Sequence, residues 1–283
     1  MSDIIITSDS TTDLSPELLE HYGIRILPLG ITLGDQYFTA GVDITPDDIY
    51  ENYQKTGQLP KTAAPNLADT MDFFMRQRNK GRQIIHFTIS SEMSSSYANA
   101  RMAAEEIGGI EVVDTRNLST GGGLLAVHAA ERVRKGADDI CALAEECRRL
   151  RDRVDASFVI DDLEFLYKGG RCSALAMLGA NMLRLKPCIC VKDGKMHVGQ
   201  KYRGKFELVL PKYIRDRLGD GSQVDARRVF VTHAGVDERI VSAAVEQVKA
   251  LSVFEEVCVT RAGCTISAHC GRNTLGVLFL RKG

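Results

Sequence analysis

The chain has 283 residues, of which 44% are hydrophobic and 26% charged, and its formal net charge at pH 7 is −1. This composition is typical of a soluble globular protein with one large domain or two ordinary ones. The near-zero charge argues against a nucleic-acid partner, and no apolar run approaches the roughly 20 residues that span a bilayer. The opening MSDIIITSDS lacks the basic flank and long apolar core of a signal peptide, so we expect a cytoplasmic protein.

The first half of the sequence alternates short apolar strands with helices. The predicted strands are DIIIT, QIIHFTI and GIEVVDT. The predicted helices are SPELLEHYG, TPDDIYENYQKTG, NLADTMDFFMRQRNKG, YANARMAAEEIGG, GGLLAVHAAERVRKG and DDICALAEECRRLRDR. Strands separated by helices predict a parallel sheet that is covered on both faces. The segment IRILPLGITLGDQYF is predicted to be an extended pair with a turn at Gly34-Asp35.

The second half mixes helices with strands that are partly antiparallel. Its predicted strands are ASFVI, KPCICV, MHVGQKYRG, RRVFVTHAG, FEEVCVTR and TLGVLFL. The tetrapeptide at residues 192–195, KDGK, is typical of a hairpin turn, which requires antiparallel neighbours. We therefore predict a two-domain α/β protein. Residues 1–153 form an N-terminal parallel-sheet domain flanked by helices, and residues 154–283 form a C-terminal mixed-sheet α/β domain.

The eight cysteines all lie between residues 141 and 270, and none forms a C-x-x-C pair. Zinc sites usually show such close ligand pairs, so we predict no metal site. Cys188 and Cys190 alternate in an apolar strand, where a thiol mostly behaves as a small hydrophobe. Cys270 follows His269, but neighbours in an extended segment would point to opposite faces and could not act together.

Three hydroxyl-rich segments follow predicted strands and precede predicted helices. They are TSDSTTD at residues 7–13, SSEMSSSYANA at 90–100 and VVDTRNLSTGGG at 112–123. The carboxyl ends of parallel strands form the ligand crevice of an open sheet, where helix N-termini and hydroxyls suit an anionic group. Helix capping is the alternative for each segment alone. Asp9, Asp13 and Asp114 could hold Mg²⁺ there, although capping and turn roles also explain them.

Cationic residues in the second half could complete an anion site. Arg171 follows a Gly169-Gly170 turn that ends a short amphipathic helix, and His269 lies before a glycine in TISAHCGRNTLGVLF. Either residue could instead be structural or solvated, as could Lys168. The apolar segment ALAMLGANMLRL could line a tunnel or belong to the core.

Several of these segments together resemble the DegV family of bacterial fatty-acid-binding proteins. The matching blocks are TSDSTTDLS, KTAAPN, TISSEMSSSYANA, VVDTRNLSTGGG, LEFLYKGGRCS, LRLKPCICVKDGK, VTHAG and AHCGRNTLGVLF, in the family's order and spacing. Where the family has Gly-Pro-Gly after the histidine, this chain has GRN, which adds Arg272 as a docking charge or a solvated one.

The resemblance implies a two-domain α/β protein that holds one long-chain fatty acid in a tunnel between its domains. A separate ATP-binding fatty acid kinase would phosphorylate the carboxylate. The chain itself would be the lipid-binding subunit of this kinase system, would serve phospholipid metabolism and would need no cofactor. The implied carboxylate ligands are Thr62, Ser94, Arg171 and His269. The alternative is a hydrolase that uses Ser94 or a neighbour, but the sequence has no G-x-S-x-G elbow.

Overall fold

The computed structural model describes residues 4–78, 82–173 and 185–283, and it has the predicted α/β architecture. Most of ALAMLGANMLRL therefore lies outside the described residues. The strands are β1 (Ile4–Asp9), β2 (Arg25–Leu27), β3 (Gly30–Leu33), β4 (Gln36–Thr39), β5 (Lys61–Ala63), β6 (Gln83–Thr88), β7 (Ile110–Asp114), β8 (Val154–Ile160), β9 (Lys186–Lys192), β10 (Lys195–Tyr202), β11 (Val224–Ala234), β12 (Glu256–Arg261) and β13 (Thr274–Arg281). The helices are α1 (Pro16–Tyr22), α2 (Pro46–Thr56), α3 (Leu67–Gln77), α4 (Ser96–Ile107), α5 (Thr120–Arg134), α6 (Ile140–Leu150), α7 (Glu164–Lys168), α8 (Phe206–Leu218), α9 (Glu238–Ala250) and α10 (Cys264–Cys270).

The first sheet is parallel throughout, with the strand order β2-β1-β6-β7. Helices α3 and α4 cover one face, where Phe74 and Ala103 are fully buried. Helices α5 and α6 cover the other, where Leu125 and Phe87 are fully buried. Full burial of a large side chain such as Phe74 or Leu125 contributes about 1.5–3 kcal/mol, so both helical layers hold the sheet. The predicted parallel sheet with two covered faces is confirmed.

The second sheet has six strands in the order β10-β9-β8-β13-β11-β12, and only the β11–β12 pair is parallel. The predicted hairpin between β9 and β10 is confirmed. Asp193 and Gly194 both have positive φ there, at 52° and 80°, as a tight two-residue turn requires. Helices α8 and α9 pack on one face of this mixed sheet.

Helix α5 also contacts strands of the mixed sheet, namely β8 and β13. One hydrophobic cluster accordingly contains Ile6 and Leu124 together with Phe230 and Leu278. The two halves of the chain thus share a buried core around this helix. The domain boundary between residues 153 and 154 stays a prediction.

A third, smaller sheet was not foreseen. Its three antiparallel strands have the order β4-β3-β5, and the predicted turn at Gly34-Asp35 joins β3 to β4. This sheet and α2 pack against α7 and α10 of the second half, through a cluster that includes Ile31, Tyr50 and Phe165. Strand β5 is only three residues long, and its register places Thr62 opposite Ile31.

The interpretation of the segment around His269 as extended is wrong, because Cys264–Cys270 form the helix α10. Two of its thiols donate to backbone carbonyls, Cys264 to Ile44 and Cys270 to Ile266, at 3.2 and 2.8 Å. Burial raises the pKa of both thiols, so they are structural groups rather than nucleophiles. Within the described ranges, no helix combines the length and apolar character needed to cross a membrane.

Candidate ligand-binding site

A cavity of about 320 Å³ lies where the three sheets meet, and all four predicted ligand residues line it. Its volume is at the lower end of the range for small-molecule pockets, roughly 300–1,000 Å³. Apolar side chains such as Phe158, Leu166, Met196 and Ile266 form much of its wall. The polar lining residues are Thr62, Ser94, Ser95, Arg171, Thr265 and His269.

Thr62 and His269 meet across the cavity wall although 207 positions separate them in sequence. Thr62 Oγ1 lies 3.0 Å from His269 Nε2, which is hydrogen-bond distance. The small antiparallel sheet presents Thr62 on β5, and α10 presents His269 from its last turn. The fold therefore brings a hydroxyl and an imidazole together from the two halves of the chain.

Burial, with a further contribution from the positive charge of Arg171, lowers the pKa of His269 to about 4. The imidazole is therefore neutral at physiological pH. Its buried Nδ1 atom has no hydrogen-bond partner among the residues that the structure describes. Gly169 closes that side of the ring, since a Cβ there would lie 2.7 Å from Nδ1. A side chain larger than hydrogen at this position would displace the histidine.

Arg171 supplies an exposed positive charge at the cavity. The predicted Gly169-Gly170 turn precedes it, with Gly170 at φ +70°, and Arg171 Nη1 donates to the Gly169 carbonyl at 2.8 Å. Lys168 instead pairs with Glu164 one turn back on α7, at 2.5 Å. Arg272 lies over the Tyr50 ring and 3.4 Å from Asp47, so both of these cations have partners within the protein.

Two hydroxyls of the serine-rich loop fix the loop in place by hydrogen bonds to neighbouring segments. Ser90 Oγ donates to the Gly194 carbonyl at 2.7 Å, and Ser91 Oγ donates to Asp114 at 2.6 Å. Ser94 Oγ accepts from the Ser96 backbone N–H at 3.2 Å and lies 2.9 Å from Ser96 Oγ, just before α4 begins. Ser94 and Ser95 line the cavity. Ser90 and Ser91 thus hold the loop in place, and Ser94 and Ser95 bring hydroxyls to the cavity.

The three aspartates considered for Mg²⁺ are held by hydrogen bonds within the protein. Asp9 accepts from Thr11 and the Ile89 N–H, and Asp114 accepts from the Ser91 loop and the Arg116 N–H. In the described ranges, no three His, Cys, Asp or Glu side chains cluster in a way that could hold a metal ion.

Asp13 ties the first strand's loop to the second half of the chain. It accepts from Ser119 Oγ at 2.6 Å and from the Gly263 N–H at 2.8 Å. Burial is the main cause that raises its pKa to about 7, and the nearby Asp9 carboxylate adds to it. Gly263 is the N-cap of α10, so Asp13 fixes the start of the helix that carries His269.

The apolar lining was not identified from the sequence. Phe158 and Met196 belong to strands that sequence reasoning assigned to a sheet without distinguishing its faces. A small apolar extension continues past Leu118, Phe158 and Ile266 toward Gly276 and Leu278. Thr265 also lines the main cavity, one helical turn before His269, and nothing in its sequence context marked it.

Comparison with known proteins gives concordant results. The family model described as "Uncharacterised protein, DegV family" matches residues 3–282. A DegV domain-containing protein of Deinococcus radiodurans is 28% identical over 277 residues, 97% of each chain. A solved structure on fatty acid binding of a DegV family protein from Thermus thermophilus has 27% identity, a TM-score of 0.88 and 99% coverage of both chains. A stearic acid-binding protein from Eubacterium ventriosum has 26% identity and a TM-score of 0.87, with 100% of this chain and 99% of that one covered.

Proposed function

The chain belongs to the DegV family, and from this membership and its cavity we propose that it binds one long-chain fatty acid. The acyl chain occupies the apolar cavity between the first and second halves of the protein. The carboxylate lies among Thr62, Ser94, Arg171 and His269. The observation that carries the proposal is the convergence of these four side chains on the wall of one largely apolar cavity. Related proteins of similar structure bind fatty acids, including stearic acid.

The two ends of a fatty acid make opposite demands, and this cavity can meet both. Each buried methylene contributes about 0.8 kcal/mol, so ~14 of them supply roughly 11 kcal/mol before the cost of association. A carboxylate buried without partners would cancel much of this gain. The hydroxyls of Thr62 and Ser94 are neutral donors, and the guanidinium of Arg171 can form a charge-assisted bond.

The neutral imidazole of His269 orients the Thr62 hydroxyl. When Nε2 carries the proton, it donates to Thr62 Oγ1 at 3.0 Å and leaves the hydroxyl hydrogen free to point at a ligand oxygen. The pKa of about 4 keeps this arrangement uncharged at neutral pH. Thr62 then becomes a directed donor to the carboxylate.

We extend the proposal to a division of labour in which a separate kinase phosphorylates the bound carboxylate with ATP. The exposed Arg171 is the cation best placed to stabilise the additional negative charge of an acyl phosphate. The thiols of Cys141, Cys147, Cys188, Cys190, Cys258, Cys264 and Cys270 are free, which supports a reducing, cytoplasmic location where ATP is available.

The hydrolase alternative finds no support in the site. Ser94 Oγ lies next to another serine hydroxyl, and the Nε2 atom of His269 is engaged with Thr62. A serine nucleophile needs a base within hydrogen-bond reach, and the bonds that these two residues make supply none.

Binding can be tested on protein purified from cells under native conditions. We expect mass spectrometry to detect a co-purifying fatty acid at about one molecule per chain, because the apolar cavity retains it. The control is the same protein delipidated on a hydrophobic resin and then reloaded. Protein that carries no fatty acid and does not take one up when delipidated would contradict the proposal.

Arg171→Ala is expected to lower kinase-dependent acyl-phosphate formation about tenfold more than it lowers fatty-acid affinity. The product carries more negative charge than the acid, so the lost cation matters more to it. Turnover is measured with the purified fatty acid kinase of the same organism, ATP and Mg²⁺, and affinity with a fluorescent fatty acid. Arg272→Ala is the matched control, because that arginine already pairs with Asp47.

Equal losses of turnover and affinity in Arg171→Ala would point to a role in ground-state binding alone. The chain incubated with ATP, Mg²⁺ and fatty acid but without a kinase should form no acyl phosphate. Product formed by the chain alone would make it an enzyme in its own right.

A further inference from the structure

Two thiols lie side by side on β9, on the face of the mixed sheet opposite the cavity. Cys188 Sγ and Cys190 Sγ are 3.6 Å apart. The two residues alternate with Ile189, which packs in the cluster that contains the cavity residues Leu166 and Ile266. The thiol pair is therefore separate from the fatty-acid site.

A guanidinium accompanies this pair. Arg217 on α8 approaches Cys190 Sγ with its Nη1 atom at 3.7 Å, while its Nη2 atom pairs with Asp155 on β8. The hydrogen bond with Cys188 and the positive charge of Arg217 lower the pKa of Cys190, burial opposes them, and the net pKa is below its ordinary value. Either sulfur can donate the hydrogen between them, and the pKa of Cys188 is raised. The contact with Arg217 and the lower pKa favour the thiolate form at Cys190.

Solvent can reach Cys190 but not Cys188. Cys190 is partly exposed, whereas Cys188 is 1% exposed. Gly199 on β10 lies next to the Cys190 side chain, and a Cβ at position 199 would lie 3.0 Å from the Cys190 sulfur. Glycine therefore leaves access to the sulfur that a larger residue would restrict.

Joining the two sulfurs requires the strand to bend. Residues two apart on a strand have Cα atoms about 6.6 Å apart, which is near the upper end of the range for disulfides, about 4.4–6.8 Å, but their Cβ atoms are about as far apart, beyond the usual ~3.5–4.5 Å. The β9–β10 ladder has a register shift between Val198 and Lys201, opposite Cys188. Two residues of β10, Gly199 and Gln200, face Cys188 there, which locally disrupts the ladder beside it.

We propose that Cys190 and Cys188 form a peroxide-reactive dithiol site, in which Cys190 is the attacking thiolate and Cys188 the resolving thiol. The Cys190 sulfur attacks one oxygen of a hydroperoxide. An S–O bond forms, the O–O bond breaks, and the second oxygen leaves as water or an alcohol. Cys188 then loses its proton and attacks the sulfenic sulfur, so that the S–S bond forms, the S–O bond breaks and water leaves. Two thiols are oxidised and one peroxide is reduced.

The test uses the full chain in its reduced, folded form. Brief treatment with hydrogen peroxide, alkylation and tryptic digestion should yield the peptide of residues 185–192, which contains both thiols, lighter by two hydrogen atoms and unalkylated. Dithiothreitol should restore both thiols. Without peroxide, iodoacetamide should label Cys190 about tenfold faster than Cys141, because its thiolate fraction is larger. Cys141 is the matched control, an exposed thiol whose pKa is raised by desolvation and by Glu111.

Two variants separate the roles. Cys188→Ser should leave Cys190 as a sulfenic acid that dimedone traps, and Cys190→Ser should abolish peroxide reactivity at this peptide. Arg217→Lys keeps a cation for Asp155 and should slow the alkylation of Cys190 severalfold. The proposal is overturned if Cys190 is alkylated no faster than Cys141, or if peroxide leaves both thiols of the peptide free. Trapping of the sulfenic acid at Cys188 instead of Cys190 would also overturn it.

Discussion

Thr62→Val is expected to lower the affinity for a long-chain fatty acid by about tenfold to a hundredfold. Valine keeps the shape of threonine but removes the hydroxyl that, in the proposed site, donates to the carboxylate. Loss of one donor to a charged acceptor costs about 1.5–3 kcal/mol, which corresponds to that range of affinity. The substitution also removes the partner of His269 Nε2 at 3.0 Å, so the imidazole loses its orientation.

The measurement is a titration of the delipidated protein with a fluorescent fatty acid. Thr62→Ser retains the hydroxyl and should keep most of the affinity. Ser94→Ala should show a loss of similar size, whereas Ser91→Ala changes a serine of the same loop that bonds to Asp114 instead. If Thr62→Val and Ser94→Ala both bind as tightly as the unmodified chain, these hydroxyls are not carboxylate ligands.

Asp13→Asn is expected to stabilise the protein more at pH 8 than at pH 5, by roughly 3 kcal/mol at most. The pKa of Asp13 is raised to about 7 in the folded chain, from an ordinary value of 3.8. Between these values the folded state holds a proton that the unfolded state has lost. The contribution of Asp13 is therefore greatest below pH 4, declines as pH rises, and is fully lost above about pH 7.

Asparagine suits this position in both its hydrogen bonds and its backbone. Its carbonyl oxygen can accept from Gly263, and its amide can donate to Ser119 as the protonated acid would. Asp13 has φ +48°, a left-handed conformation that asparagine also adopts. Urea unfolding at pH 5, 6, 7 and 8 gives the difference in unfolding free energy between variant and unmodified chain.

The difference in unfolding free energy between Asp13→Asn and the unmodified chain should grow by about 1.4 kcal/mol per pH unit toward pH 7 and then level off. Asp48→Asn is the control, because the hydrogen bond from the Thr45 side chain lowers the pKa of Asp48. Its carboxylate is ionised in both states above pH 5, so its difference should stay constant there. A constant difference for Asp13→Asn as well would mean that Asp13 is already ionised in the folded protein.

The elements that sequence analysis located have local signals at their ends. Helix α1 has the Ser15 cap, Pro16 at its first position and Gly23 in a left-handed conformation at its end. The β9–β10 hairpin has Asp193-Gly194 at its turn. These signals act over a few residues, so a single sequence is enough to recognise them.

The elements that it missed lack such signals. Helix α10 is nearly buried throughout, so it shows no apolar stripe along one face. It also has no side-chain cap and contains β-branched residues, which do not favour a helix. Strand β5 is too short for a pattern and exists because it pairs with β3 about thirty residues earlier. The four site residues came from a family resemblance. Their meeting depends on tertiary packing, as the distance between Thr62 and His269 shows.

The proposed carboxylate site has a consequence for the energetics of folding. It joins β5, which belongs to a small peripheral sheet, to α10 in the second half, and neither segment is near the other in sequence. Closing the long chain segment between β5 and α10 costs conformational entropy. This cost is offset only by the contacts that form when the small sheet docks. A ligand that requires both segments binds the fully assembled chain and no partly unfolded form. Its binding energy is then added to the cost of undocking the small sheet, so amide hydrogen exchange in β3 and β5 should slow when the cavity is filled.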